Sequence, residues 1–332
     1  VARFNLFKHP YIAFLLVIVL AISFFLKGPG GLLRKCGNTS DVTIIIKPGT
    51  SSTQLATELA EKNVLGSKIS FLAGVVLSGK KNKLKAGEYL IPAKATPWNI
   101  IQLIASGKVI IHKLTFPEGI TVVQVIKILK EEALLEGEIT QIPEEGELLP
   151  ETYTFCYGDD RQNLLNQMKK AMDKALQELW EKRASDLPIQ SPREALILAS
   201  IVEKESGYIA ERARIASVFF NRLRLNMRLQ SDPTVIYGLT KGQSVLEREL
   251  TRNDLKIPSD HNTYIINGLP PTPIACPGRD ALQAVLNPLP TNDLYFVANG
   301  SGGHTFTKSL QDHNKEVLTW RSVKKQKNNI PQ

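Results

Sequence analysis

Residues 194–202, EALILASIV, carry apolar side chains on nearly every side once wound at about 100° per residue, and a helix of that kind must be enclosed by others. A chain holding this segment is committed to a multi-helix core. Ser191-Pro192 supplies a cap and a first-turn proline, and Gly207 a stop, so the spacing predicts a helix over 191–206. Further helices are expected over 161–183 and 211–225. The buried helix ends in a polar stretch, ASIVEKESG, with two glutamates around one lysine. Glu205 shares a stripe with Leu198, Ile201 and Val202, whereas Glu203 lies on the opposite stripe with Leu196, Ala199 and Ser200. Glu205 also occupies the last turn, where the negative end of the macrodipole disfavours a carboxylate, and burial acts in the same direction. Both effects favour the protonated acid, the form that can protonate a leaving oxygen. The plainer alternative is that the two glutamates pair with Lys204, Arg212 or Arg214 around a helix end.

The 332 residues allow an anchor and two domains. Residues 11–26 contain no charge and one polar interruption, Ser23; at about 1.5 Å per residue they cover roughly 24 Å, a little short of a ~30 Å hydrocarbon core. The expected layout is a short tail over 1–9, an uncleaved transmembrane anchor over 10–27 with Lys8 and Lys27 snorkelling at its ends, and a linker over 28–41. A cleaved signal peptide is the competing reading, against which Phe25, Leu26 and Lys27 stand where small residues are needed. Arg3 and Lys8 before the segment, and Lys27, Arg34 and Lys35 after it, leave orientation undecided by charge.

From Asp41 onward a strand–turn–helix unit recurs, over 41–63, 87–108 and 112–132, with Thr96 and Thr121 as caps. The first two units, with a helix over 67–77 between them, predict a small α/β module over 42–112; the third opens a second domain over 113–332. Residues 132–150 are acidic and rich in Pro and Gly, and read as a loop or lid. Residues 286–309 read as two strands around a Gly-rich turn, before a last helix over 311–321. The fold class is therefore α+β.

The net charge of +9 is partly the cluster Lys80, Lys81, Lys83 and Lys85, either a solvated hairpin turn or an attraction for anionic lipid or an acidic polymer. No aromatic residues interleave with these lysines, so nucleic acid is not an expected partner. Cys36, Cys156 and Cys276 show neither C-x-x-C nor metal-ligand spacing, and unpaired buried thiols are expected, with a Cys156–Cys276 pair as the alternative in an oxidising compartment. No cofactor or metal is called for.

After ASIVEKES the chain continues ERARIASVFFNRLRLNMRLQSDPTVIYG, HNTYIINGLPPTPIACPGRDAL, LYFVANGSGGHTF and DHN. Taken together these resemble the membrane-anchored endolytic murein transglycosylases over essentially the whole chain. The resemblance implies a single N-terminal anchor in the bacterial inner membrane, a LysM-like module, and an extracytoplasmic, mainly helical lysozyme-like catalytic domain with a β-hairpin subdomain. It implies peptidoglycan glycan strands as substrate, with penicillin-binding proteins or other wall-synthesis proteins as partners. It implies a lyase that closes a 1,6-anhydro ring on muramic acid and limits nascent strand length, and it makes Glu205, the second glutamate of E-K-E-[TS], the essential acid.

Around that acid, Gln230 and Ser231 are candidates for hydrogen bonds to sugar hydroxyls or N-acetyl groups, while Asp232-Pro233 reads as a turn starter. Asn262 and Tyr264 are candidate cleft residues, Tyr264 equally a core residue with a satisfied hydroxyl. Glu151 is a candidate cleft carboxylate or simply exposed, and His304 a ligand-facing donor or part of the hairpin turn. Three positions depart from the family pattern. Asn226 replaces a usual Gly and serves as a left-handed stop, Glu151 replaces a usual Asp, and Cys276 replaces a usual Asn, losing an amide hydrogen bond and loosening its loop. A Ser/His/Asp hydrolase built on Ser231 and His304 lacks the G-x-S-x-G elbow. A non-enzymatic wall-binding scaffold and a hydrolytic muramidase are the remaining alternatives.

Overall fold

The computed structural model describes residues 10–328. The chain divides into two units, one formed by residues up to His112 with Thr154–Gly158, the other by Lys113–Tyr153 and the residues from Asp159 on.

In the first unit, helix α1 (Pro10–Lys27) precedes strand β1 (Val42–Ile46), helices α2 (Ser52–Glu61) and α3 (Lys68–Leu77), strand β2 (Gly87–Ile91) and helix α4 (Pro97–Ser106). β1 and β2 pair antiparallel, Val42 opposite Ile91 and Ile46 opposite Gly87, so Ile44, Ile46, Tyr89 and Ile91 turn inward against the helices. Helices α2, α3 and α4 each start where a side chain caps them: Ser51 with Gln54 forms a capping box, Ser67 caps α3, and Thr96, before Pro97, caps α4. α4 ends at Gly107, in the left-handed region at φ 73°. Residues 28–41, expected as a linker, instead belong to this core. Leu32 is buried, its carbonyl accepts from the Trp98 amide at 3.2 Å, and the Cys36 amide donates to the Ala95 carbonyl at 2.9 Å. The reason is packing: Leu32 lies so close to Gly74 that a Cβ there would stand 2.4 Å from its methyl group. Among the described residues no helix is long and apolar enough to cross a membrane. The 18 residues of α1 cover roughly 27 Å against a ~30 Å core. The expected tail over 1–9 lies outside the described residues.

β3 (His112–Thr115) leads to helix α5 (Val122–Glu131) and then pairs with β4 (Thr152–Phe155), a strand the sequence did not announce. The second unit continues with helices α6 (Arg161–Glu181), α7 (Pro192–Glu205), α8 (Ile209–Arg224), α9 (Asp232–Thr240) and α10 (Arg279–Leu286), strands β5 (Tyr295–Ala298) and β6 (His304–Thr307), and helix α11 (Leu310–Asn328). α7 is the helix built on EALILASIV, and it is enclosed by α6, α8, α9 and α10 as its composition requires. Its one small polar interior residue is satisfied: Ser200 Oγ donates to the Ile197 carbonyl at 2.7 Å and accepts from the Ile274 amide at 3.0 Å. Phe219 of α8 meets Phe296 of the β5–β6 hairpin edge-on at 5.8 Å, seating the hairpin on the helical core. The acidic stretch 132–150 is irregular but tied down. Leu148 and Leu149 are buried, the Leu149 amide donates to the Met168 carbonyl at 3.2 Å, and Lys169 pairs with Glu147 at 2.6 Å.

Candidate active site

α7 is fixed at both ends. Ser191 Oγ accepts from the Glu194 amide at 3.2 Å. At the other end Gly207 is not the stop. Ser206 turns extended at φ −136°, its hydroxyl accepts from the Tyr208 amide at 3.0 Å, and its carbonyl accepts from Arg212 Nε at 3.4 Å. The guanidinium thus satisfies the carbonyl at the end of α7, the serine hydroxyl holds the turn that follows, and no left-handed residue is needed.

The two glutamates of this last turn meet different company. Glu203 is the less exposed. Its carboxylate accepts from Arg212 Nη2 at 2.6 Å and from the Gly278 amide at 2.9 Å, while Arg212 Nη1 reaches Glu118 at 3.1 Å. Burial pushes its pKa up, and the Gly278 amide and Arg212 pull against that. Glu205 is met by a neutral donor, Ser231 Oγ at 2.5 Å. Burial dominates there. The Ser231 hydroxyl and the charge of Arg222 favour the anion, Asp232 opposes it, and the carboxyl is pushed up to about 7.

Ser231 is aimed by a local sacrifice. It occupies the N-cap position of α9, where its hydroxyl would ordinarily cap for about 1 kcal/mol, but the hydroxyl makes no capping bond and goes to Glu205 instead. Gln230, just before it, is held in the left-handed region at φ 50° with its amide on the Thr263 carbonyl at 3.1 Å. The Ser231 amide donates to Thr263 Oγ1 at 2.9 Å and its carbonyl accepts from Thr234 Oγ1 at 2.6 Å.

Glu205 opens into a cleft of about 550 Å³ lined also by Arg222, Gln230, Asp232, Tyr264, Tyr295, His304, His313 and Asn314. The Arg222 guanidinium is anchored by the Leu294 and Leu229 carbonyls, both at 2.7 Å, and lies 5.2 Å from the Tyr295 ring. Tyr264 Oη donates to Asp232 Oδ1 at 2.6 Å, and burial, then this carboxylate, push the phenol upward. His304 Nδ1 faces Glu211 Oε2 at 2.8 Å, and His313 stacks on Tyr295 at 5.1 Å.

Of the residues singled out from sequence, Glu205, Gln230, Ser231, Tyr264 and His304 come together here, Ser231 as the donor to Glu205 and the other four on the cleft wall. Asn262 and Glu151 do not line the cleft. Asn262 Nδ2 donates to the Leu255 and Ile257 carbonyls at 3.1 and 2.8 Å, and its Oδ1 accepts from the Tyr264 amide at 3.0 Å, so it shapes the loop that presents Tyr264. Glu151 is exposed, and its carbonyl accepts from the Phe116 amide at 3.1 Å. Asp232, taken from sequence as a turn starter, and Arg222 are the charged residues that the reading missed. The D-P pair gave the turn but nothing of what the carboxylate faces, and Arg222 was one of several arginines on a helix. The Cys276 loop is held by its backbone, the Cys276 amide on the Ile120 carbonyl at 2.8 Å and its carbonyl on the Gly119 amide at 3.0 Å, so the missing asparagine amide does not loosen it. Cys276 itself is buried, its thiol pushed up to about 12 by burial and by Glu145. Among the described residues no group of three or more His, Cys, Asp or Glu is arranged to hold a metal ion.

A carboxylic acid that exchanges its proton near neutrality, at the wall of an open polar cleft, can protonate an ether oxygen and take a proton back. Comparison with known proteins bears on which ether. Residues 44–319 match the YceG-like family. The chain is 33% identical to the endolytic murein transglycosylase of Bacillus subtilis, over 86% of this chain and 86% of that protein. It is 27% identical to the endolytic murein transglycosylase of Streptococcus pneumoniae, over 83% of this chain and 58% of that longer protein. A crystal structure of a yceG-like protein from Listeria monocytogenes superposes with a TM-score of 0.50 at 31% identity, covering 83% of this chain and 99% of that one. On a match that spans most of its length, the chain belongs to the YceG-like family.

Proposed function

We propose that the protein is an endolytic murein transglycosylase with Glu205 as its single acid and base. The observation that carries this is a glutamate pushed up to about 7, held by Ser231 and open to a cleft. Glu205 donates its proton to the oxygen joining C1 of N-acetylmuramic acid to C4 of N-acetylglucosamine, and the C1–O bond breaks with the electron pair leaving on that oxygen. The resulting carboxylate is stabilised by the Ser231 hydroxyl and the charge of Arg222. It then takes the proton of the muramyl 6-hydroxyl as that oxygen bonds to C1, which closes the 1,6-anhydro ring and restores the acid. Attack within one sugar has the advantage of effective concentration over attack by water. Gln230, Tyr264 and His304 are proposed to hold the sugars. Peptidoglycan strands are the substrate, and cleavage within nascent strands limits their length.

The reading extends to location. α1 is proposed as a single inner-membrane anchor, its shortfall in length met by local thinning and by Lys27 reaching outward, with the rest of the chain extracytoplasmic. The first unit is proposed to contact glycan and position the strand, with wall-synthesis proteins as neighbours.

One observation favours a second reading. Asp232 lines the same cleft, and a hydrolytic muramidase needs a second carboxylate to activate water or act as nucleophile. Its bond from Tyr264 gives it a different task here, fixing that ring in the cleft wall. Digestion of sacculi in heavy-oxygen water, read by mass spectrometry, separates the two. The transglycosylase yields unlabelled 1,6-anhydro-muramic acid ends; labelled, reducible muramic acid ends as the main product would make the enzyme a hydrolase.

A further inference from the structure

α3 is apolar on both sides. Phe71, Gly74 and Val75 are buried in the core of the first unit. The opposite face repeats at 69, 73, 76 and 77, the spacing of one helical stripe, with Leu72 at its edge packing partly against the core, and none of those residues is polar. Ile69, Val76 and Leu77 stand 78%, 68% and 69% exposed. A stripe of this kind on a surface marks a contact.

Position and charge choose the contact. Phe25 and Leu26, at the end of α1, pack against the core of this unit. Gly30 lies against Gly66, just before the N-cap of α3, so closely that a Cβ on Gly66 would stand 3.2 Å from the Gly30 Cα. Leu32 then fills the space at Gly74, midway along α3. The apolar helix α1, exposed along most of its length, therefore leaves the unit beside α3. Exposed Lys68 opens α3, exposed Lys81 and Lys83 follow it, and exposed Arg34 and Lys35 lie in the turn after α1. An apolar stripe bounded by cations has the composition of a helix lying at the boundary of headgroups and acyl chains, its ammonium groups among phosphates.

We infer that the outer face of α3 lies in the surface of a bilayer carrying anionic headgroups, next to the point where α1 enters it. The inference rests on the proposed anchor. It gives the first unit a fixed seat on the membrane and so a fixed height for whatever strand the unit holds.

The test uses the full chain, one copy per nanodisc of mixed phosphatidylglycerol and phosphatidylcholine, with a fluorophore at Phe14→Cys, Val76→Cys or Asn99→Cys and the parent chain as blank. Spin-labelled lipid should quench the labels at 14 and 76 severalfold more than the one at 99. In discs of phosphatidylcholine alone, quenching at 76 should fall severalfold while quenching at 14 persists. Quenching at 14 with 76 as weak as 99 would overturn the seat while leaving the anchor standing. Absence of quenching at 14 would overturn the anchor and the seat with it. Shielding of 76 only in discs holding two copies would make this face an interface between copies and overturn the lipid assignment.

Discussion

Glu203 and Glu205 stand two residues apart in the last turn of α7, and their surroundings differ in one respect. Each is desolvated, but Glu203 is answered by a guanidinium and a backbone amide, whereas Glu205 is answered by a serine hydroxyl. α8 supplies both cations, Arg212 in direct contact with Glu203 and Arg222 acting on Glu205 only through its charge. The lesson is that burial alone does not make a catalytic acid. Burial with a paired cation fixes a helix end; burial with a neutral donor leaves a proton that can move.

The largest effect expected follows directly. Glu205→Gln should lower the cleavage rate by roughly 10³-fold, the typical weight of a general acid, with the circular dichroism spectrum unchanged. Glu203→Gln should retain most of the activity and lose stability instead. Equal losses of activity in the two would erase the distinction between the sites.

Next comes Arg212→Ala. Removing one partner of a buried ion pair leaves Glu203 uncompensated and should cost about 3–5 kcal/mol in denaturant unfolding. A loss under about 1 kcal/mol would mean that water or another cation reaches Glu203 and that the two sites are alike.

A smaller effect has a sign that depends on pH. The fold holds the Glu205 carboxyl at about 7, above its ordinary 4.5. Below about 4.5 the group is protonated in both states and costs nothing; as pH rises towards 7 the unfolded chain loses the proton first, so stability falls, and the cost is complete above 7. Glu205→Gln should therefore stabilise the protein by about 3 kcal/mol at pH 8 and hardly at all at pH 4. No difference between the two pH values would place Glu205 among ordinary solvated carboxylates.

Smallest is Ser231→Ala, which removes the one hydrogen bond favouring the Glu205 anion. The rate should fall by roughly tenfold, and the alkaline limb of the pH profile should move upward. A limb that moves downward would show that the hydroxyl stabilises the neutral acid instead.

Much of this contrast was legible in the sequence, and the part that was not has a physical reason. Caps and stops act over a few residues, so Thr96-Pro97, Gly107, Thr121, Ser191-Pro192 and the left-handed Asn226 could be read locally. The all-round apolar helix announced its own burial. What could not be read was the choice of partner. The apolar stripe pointed to Glu205, where burial dominates, but it could not show that Arg212 and Gly278 come to Glu203 from 9 and 75 positions away. Asp232 looked like a turn residue because it is one, the first residue of α9, and only the approach of Tyr264 from 32 positions on makes it part of the cleft. α9 and α10 were missed for a related reason: each is short, α9 opens on the Asp232-Pro233 pair that reads as a turn, and α10 follows a Pro/Gly-rich stretch that reads as loop. The linker over 28–41 looked free because its anchoring side chains, among them Leu32 and Asn38, meet their partners only in the fold, at the notch beside Gly74 and at the Pro92 carbonyl.

The central claim is that Glu205 is a carboxylic acid exchanging its proton near neutrality, and it can be measured at the atom concerned. With glutamate side chains labelled by carbon-13 at the carboxyl, the signal present in the parent protein and absent from Glu205→Gln belongs to this residue. Its chemical shift should titrate with a midpoint near 7. A midpoint below about 5 would show an ordinary carboxylate, ionised at neutral pH, and would contradict the account.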